Sequence, residues 1–181
     1  NTLADSGDVT VNGATAILDI DRNSEPVAAV TLLNGTIQGT TGVLTGSSYT
    51  VHQGSVAAIL AGTGTLTKES TGTVTVTKSL TYSGDTIIND GELSIGDGTT
   101  SGALRGTSEI TGTGGALVIN QGAGEFVEQT DELNNGLITG GVSVIQRGDG
   151  TTELCLDNTY TGNTTVEEGT LVVCGTHSSD G

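Results

Sequence analysis

The stretch TYSGDTIINDGELSI occupies residues 81–95, and TYTGNTTVEEGTLVV repeats its pattern at residues 159–173. The match extends without a gap from residues 59–96 onto residues 137–174. It keeps Tyr82 in step with Tyr160, and Gly91 in step with Gly169. An internal repeat of this kind indicates an elongated fold in which one structural unit stacks on the next. Such folds build surfaces and lengths rather than a single catalytic pocket.

A weaker correspondence, between LNGT at residues 33–36 and LRGT at residues 104–107, extends the repeat. We therefore divide the chain into lead-in turns at residues 1–32, a first repeat unit at residues 33–98, a second at residues 99–175 and a tail at residues 176–181. No linker separates these parts, so residues 1–181 are expected to form one solenoid. With about 20 residues per turn and a spacing of about 4.8 Å, nine turns would make a rod of roughly 43 Å.

The composition favours β-structure around a thin core. The chain contains 30 glycines, one proline and no tryptophan or methionine, and aromatic residues make up only 2%. Large aromatic side chains usually dominate the core of a thick globular domain. Short runs rich in Val, Ile and Thr alternate with turns such as Asn12-Gly13 and Asp90-Gly91, which is typical of strands between tight turns. The sequence predicts an all-β fold, a parallel β-solenoid, with an antiparallel β-sandwich of the pilin or immunoglobulin kind as the alternative.

The net charge of the chain indicates which classes of partner it can bind. Five basic and 21 acidic residues give a formal net charge of −16. A nucleic-acid-binding surface needs Lys and Arg, so nucleic acid is not expected as a partner. Anionic membranes repel the same charge, and no apolar run is long enough to span a bilayer, so membrane insertion is not expected. We interpret the charge as a source of solubility outside cells, with divalent-cation binding as the alternative.

Segments of both units resemble the autotransporter-associated β-strand repeat. The first unit contains Leu66-Thr67-Lys68, then GTVTV at residues 72–76 and the stretch at residues 81–93. The second contains NTYTGNTTVEEGTL at residues 158–171, with Ile145-Gln146-Arg147 in the place of the Leu-Thr-Lys segment. The resemblance implies a right-handed parallel β-helix on a bacterial surface, as in adhesins and secreted passenger domains.

The expected function is that of a non-catalytic extracellular or cell-surface structural protein, either an adhesin passenger segment or a self-assembling fibre subunit. Because a solenoid has open ends with unpaired strand edges, the expected partners are copies of the chain, end to end, or other surface and matrix components. The alternative is a carbohydrate- or surface-binding module. We rank ice binding lower because Thr-x-Thr triplets cluster at residues 63–77. A polysaccharide-active β-helix enzyme ranks lower because the basic residues are scattered.

Few residues are candidates for a chemical site, and no catalytic or cofactor-binding residue is predicted. Asp19, Asp21 and Asn23 are weak calcium candidates, since they place oxygens at alternate positions as a calcium-binding loop does. No cofactor is expected, and calcium is the one candidate. The acidic cluster of Glu125, Glu128, Asp131 and Glu132 is interpreted as a charged loop at a boundary between repeat units, and the Arg-Gly-Asp tripeptide at residues 147–149 as an exposed turn.

The spacing between Cys155 and Cys174 is close to the length of one solenoid turn. Alternation along the strands places both on the outer face, with Leu154 and Leu156 facing inward. In an oxidising compartment two such thiols are expected to form a disulfide. No Cys-x-x-Cys pattern supports a zinc site.

Overall fold

A computed structural model describes residues 3–175, which are built from strands and turns without a helix. Its strands are β1 (Val9–Asp19), β2 (Ser24–Pro26), β3 (Ala29–Thr45), β4 (Ser48–Val51), β5 (Gly54–Ala61), β6 (Leu66–Lys68), β7 (Thr73–Val76), β8 (Ser79–Leu80), β9 (Thr86–Ile88), β10 (Glu92–Ile95), β11 (Ala103–Leu104), β12 (Glu109–Thr111), β13 (Ala116–Ile119), β14 (Phe126–Glu128), β15 (Leu137–Ile138), β16 (Ser143–Gln146), β17 (Thr151–Leu154), β18 (Thr164–Val166) and β19 (Thr170–Val173). No helix in the described part of the chain is long and apolar enough to cross a membrane.

The strands form a solenoid with three faces. Face A consists of the first parts of β1 and β3, then β4, β6, β9, β12 and β15. Face B consists of the later part of β1, the middle of β3, the start of β5, and β7, β10, β13, β16 and β18. Face C follows through β2, the ends of β3 and β5, β8, β11, β14, β17 and β19. Within residues 3–175 every strand pairing is parallel, which confirms the β-solenoid and overturns the antiparallel sandwich.

The described residues make eight turns, whereas a uniform length of about 20 residues had predicted nine. The turns are uneven, as the register on face A shows. The shortest step between partners on this face leads from Tyr49 to Leu66, and the longest leads from Ile110 to Ile138. The longest step contains an inserted segment, residues 120–136, which includes β14.

The core is a narrow aliphatic column. Alternate side chains point inward, and Leu32, Ile37 and Leu93 are each 0% exposed. Burying such a side chain contributes about 1.5–3 kcal/mol. Two tyrosines enter this column, with the ring centroids of Tyr49 and Tyr82 5.9 Å apart.

Glycine at one corner of each repeat has a clear reason. Gly91 and the equivalent Gly169 both have positive φ, at 65° and 66°. A Cβ atom at either residue would collide with carbonyl oxygens of the preceding turn. Only glycine combines that conformation with so close an approach of two backbones.

The two matching stretches lie on different faces of the solenoid. Strands β6 and β9 of the first stretch are on face A, whereas their counterparts β16 and β18 are on face B. Leu93 of β10 belongs to a face B row in which Leu117 and Val144 follow, but its counterpart Leu171 pairs with Thr152 on face C. The offset between the two copies therefore corresponds to three turns and one additional face. The second copy is rotated about the rod axis by one face.

Candidate functional site

Each repeat carries a buried side chain that caps backbone carbonyls at a corner. Lys68 is fully buried, and its Nζ donates to the carbonyl oxygens of Glu69 at 2.8 Å, Ser70 at 2.6 Å and Asp90 at 3.1 Å. Burial lowers the pKa of Lys68, and the nearby acidic groups, Asp90 first, oppose that shift. The ammonium group is thus a structural donor rather than a surface charge.

Gln146 has the same role in the second repeat. It is fully buried, and its Nε2 donates to the carbonyl oxygens of Gly148 at 2.8 Å and Gly150 at 3.2 Å. The counterpart of Lys68 is therefore Gln146, so the segment equivalent to Leu66-Thr67-Lys68 is Val144-Ile145-Gln146. The sequence alignment that used Ile145-Gln146-Arg147 was wrong by one residue.

The repeated tyrosines close a second kind of corner. The hydroxyl of Tyr82 lies 2.6 Å from Thr86 Oγ1, and that of Tyr160 lies 2.7 Å from Thr164 Oγ1. Burial raises the pKa of Tyr82 well above its usual range. Both rings pack in the core rather than on the surface, so they are not available for stacking on a ligand.

Arg147 connects three turns on the outside of the rod. Its guanidinium donates to both carboxylate oxygens of Glu92, at 2.8 and 2.9 Å, and to Glu167 Oε2 at 2.7 Å. In the Arg-Gly-Asp tripeptide Gly148 is buried and Asp149 is exposed. The turn predicted at residues 147–149 is thus exposed at Asp149, whereas Arg147 is held by two carboxylates.

The contact between Arg147 and Glu92 should make the stability of the fold decrease at acidic pH. Hydrogen bonds from Arg147 hold the pKa of Glu92 below its usual value of 4.5. The contact therefore stabilises the fold above that value, and the stability is lost as pH falls through the lowered pKa of the folded state. We expect urea denaturation to show a loss of about 1 kcal/mol from this pair. In Glu92→Gln this part of the acid dependence should be absent, and an unchanged pH profile would contradict the assignment.

The calcium candidates form a turn in which protein donors already bind the two carboxylates. Asp19 accepts from the Asp21 backbone N–H at 2.8 Å and from Gln38 Nε2 at 2.7 Å. Asp21 accepts from the Thr40 hydroxyl at 2.9 Å. Asn23 donates from Nδ2 to the carbonyl oxygen of Ile20 at 3.2 Å. Calcium at these residues stays a prediction.

The acidic cluster lies on the inserted segment, where an arginine from the preceding turn binds it. Arg105 forms salt bridges to Asp131 and to Glu132. Glu132 also accepts from the backbone N–H of Glu128 at 2.8 Å. The charges of the segment thus hold it against the rod.

The structure joins Cys155 and Cys174 in a disulfide, with Cα atoms 4.5 Å apart. The bond connects the residue after β17 to the residue after β19, so it fastens the eighth turn to the seventh. Among residues 3–175, the one group of three potential metal-ligand atoms from His, Cys, Asp or Glu consists of these two cysteines and Glu153. The bond occupies both sulfurs. His177, the second histidine, lies outside the described residues.

The disulfide predicts a local response to reduction. The unreduced chain should have a mass about 2 Da below that of the reduced chain, because the bond removes two hydrogens. Closing a loop of this length is worth about 3 kcal/mol. Hydrogen exchange should therefore accelerate at residues 164–173 on reduction, and residues 30–60 should serve as the internal control. Full alkylation of both cysteines without reductant would contradict the bond.

A row of threonines on face A was missed in the sequence. Thr10, Thr31, Thr50 and Thr67 stack on consecutive turns, and Ile87 ends the row. The signal was an apolar-Thr-apolar triplet on the first three of these turns, which uneven turn lengths concealed. The row is one threonine wide, since the next outward positions on the last two of these turns are His52 and Glu69.

Comparison with known proteins agrees with this architecture. The passenger-associated transport repeat family matches residues 66–95 and 144–173. These are the segments that carry the two corner caps. The BmaC autotransporter adhesin of Brucella suis biovar 1 (strain 1330) is 45% identical over 83 residues, which is 44% of this chain and 2% of that protein. No solved structure matches the chain significantly. The resemblance predicted from the sequence is confirmed, because two segments of the chain match the passenger-associated transport repeat.

Proposed function

We propose that the chain is a non-catalytic structural segment of an adhesin passenger, displayed outside the cell or on its surface. The observation that carries this proposal is the continuity of the rod, in which both transport repeats form part of one stack of eight turns. An adhesin that matches part of the chain supports the same role.

The internal organisation of the rod supports this use. Backbone hydrogen bonds connect each turn to its neighbours, and buried caps such as Lys68 and Gln146 complete the corners. Stability in such a stack is the sum of local terms between neighbouring turns, so the stack can extend without a large core. A disulfide suits an oxidising environment outside the cytoplasm.

Two measurements test the proposal. Small-angle X-ray scattering of the purified chain should give a rod of about 38 Å, from eight turns at about 4.8 Å. Beads coated with the chain should adhere to cultured cells or to matrix-coated plates more than albumin-coated beads do. A compact particle, or adherence no greater than that of albumin, would overturn the adhesin role.

The ends of the described rod favour a second candidate function, end-to-end association of copies. At the first turn Ile17 is 61% exposed beside a cavity of 320 Å³. At the last turn Val166 and Val173 are 52% and 61% exposed, and Val173 lines a cavity of 280 Å³ with Leu154 and Leu156. A second copy, stacked head to tail, would cover apolar surface at both ends and continue the parallel sheets.

Charge sets the conditions for this association. Each copy has a formal net charge of −16, so two copies repel one another unless salt screens them. Sedimentation velocity should show larger species at 0.5 M NaCl than at 0.05 M. Val173→Asp should abolish them, whereas Leu137→Asp, on the side of the rod, should not. A monomer under all conditions would contradict the association.

A further inference from the structure

Face C contains a break in the stack. Strands β8 and β11 pair with each other, and β14, β17 and β19 form a separate sheet. Strand β14 belongs to the inserted residues 120–136, and the part of that segment that follows β14 lies against β11, so β11 and β14 are not paired as strands. Backbone continuity is restored through the inserted segment, because the Leu104 N–H donates to the carbonyl oxygen of Glu132 at 2.7 Å.

A cavity of 140 Å³ lies at this break. One side is formed by Ser79, Ser101 and Arg105 of the regular turns, and the other by Glu125, Phe126 and Glu132 of the inserted segment. Gln121 forms part of its wall and is 2% exposed. Its Nε2 donates to the carbonyl oxygens of Ile95 and Gly102, which connects the two sides. The hydrogen bonds of Gln121 therefore fix the two sides of the cavity relative to each other.

The polar groups of the cavity include both donors and acceptors that are not fully used. Glu125 accepts from the Ser101 hydroxyl through Oε2, at 3.1 Å, and its Oε1 has no partner among residues 3–175. Arg105 uses one N–H of each terminal nitrogen for Asp131 and Glu132, which leaves its Nε–H and two further N–H groups. The Ser79 hydroxyl likewise makes no hydrogen bond within the described range.

Phe126 adds an aromatic surface to this polar rim. It is 43% exposed, whereas Tyr49, Tyr82 and Tyr160 are 1%, 1% and 9% exposed. All four aromatic residues of the chain are thereby accounted for, and the single exposed ring is the one that lines the cavity. An aromatic face beside unsaturated hydrogen-bonding groups is an arrangement that binds a ring with one apolar face and a polar rim.

We infer that this cavity binds a neutral saccharide, one ring of which inserts against Phe126 while its hydroxyls bond Glu125 and Arg105. Vicinal hydroxyls both donate and accept, so they satisfy a carboxylate and a guanidinium side by side. An anionic sugar would meet the carboxylates of Glu125 and Glu132 in the cavity lining, and a cation would meet Arg105. The volume is well below the 300–1,000 Å³ typical of sites for drug-sized ligands, at about one sugar ring. The remainder of a glycan would lie outside.

This inference rests on the proposed adhesin function, because it supplies a ligand class for the adhesive surface. The test uses the whole chain. Saturation-transfer NMR with methyl glucoside, methyl galactoside, methyl mannoside and N-acetylglucosamine should show transfer to the ring protons of at least one of them. A neutral-glycan array should then give binding to glycans that contain the same sugar. Phe126→Ala should weaken that binding by at least about tenfold.

The controls separate loss of the site from loss of the fold. Leu137→Ala removes a side chain of similar exposure, 42%, on another face, and should leave binding unchanged. Glu125→Gln should weaken binding without changing the urea midpoint. Absence of transfer from every sugar, or equal binding by Phe126→Ala, would overturn the saccharide site. Bead adherence that persists in Phe126→Ala would leave the adhesin function standing, so the two failures are distinguishable.

Discussion

Lys68→Ala is expected to lower the free energy of unfolding by about 3–5 kcal/mol, as loss of one partner of a buried charged contact does. The substitution removes a fully buried side chain and leaves three carbonyl oxygens without their donor. An unsatisfied buried acceptor costs its full desolvation energy, and here several are exposed to the same void. Urea denaturation followed by circular dichroism measures the change.

Lys68→Gln provides the matched test, because Gln146 performs the same capping in the second repeat. We expect it to cost about 1 kcal/mol, since an amide replaces the ammonium but reaches fewer carbonyls. Lys78→Ala removes a lysine that is not fully buried and donates only to Thr40 at 3.3 Å, and should be nearly neutral. A Lys68→Ala variant as stable as Lys78→Ala would refute the cap.

The same lysine predicts an alkaline dependence. Burial lowers its pKa from the usual 10.5. Between the lowered pKa of the folded state and 10.5, the unfolded chain binds more protons, so this group makes stability rise with pH in that window. The rise should be absent in Lys68→Gln, which has no titrating group at that position.

Leu93→Ala is expected to lower the free energy of unfolding by about 2–5 kcal/mol, the range for removing a buried leucine. Leu93 is 0% exposed in the middle of the stack, where β7 and β13 flank its strand on both sides. Because each turn contacts only its neighbours, a void here also uncouples the turns on either side. Hydrogen exchange should therefore accelerate in both directions from β10.

Leu171→Ala is the control, since Leu171 has the same repeat position on the last turn. It is only partly buried and its strand pairs on one side, with β17. We expect a loss of about 1 kcal/mol, in proportion to the smaller buried area. Equal losses for the two variants would mean that the position of a leucine in the stack does not determine the loss in free energy of unfolding.

The parallel solenoid could be predicted because the repeat and the alternating strands both favour it. The number of turns could not, because a uniform turn length ignores the insertion at residues 120–136. Sequence matching also places repeated stretches in equivalent positions by default, so it concealed the shift of β16 to face B. That shift depends on the summed lengths of three uneven turns. No single residue in the sequence indicates that sum.

Among the candidate residues, those set by a local pattern could be predicted, whereas those set by the stacking of turns could not. Alternation along β17 was sufficient to bring Cys155 near Cys174. It also placed Leu154 correctly, at 2% exposure. The pairing of Arg147 with Glu92, far away along the chain, depends on which turns stack and leaves no local pattern. Phe126 was noted only as one of few aromatic residues, because its exposure depends on the break between β11 and β14.

The rotation of one repeat against the next has a consequence for how a long passenger meets its target. With three faces and a shift of one face per repeat, equivalent side chains follow a screw path around the axis and return to the same direction after three such shifts. A tether at one end of a filament does not fix which of its sides faces a surface. In an array that keeps this offset, each of the three faces presents the repeated motif, so several weak contacts can form together whichever face is turned toward the surface.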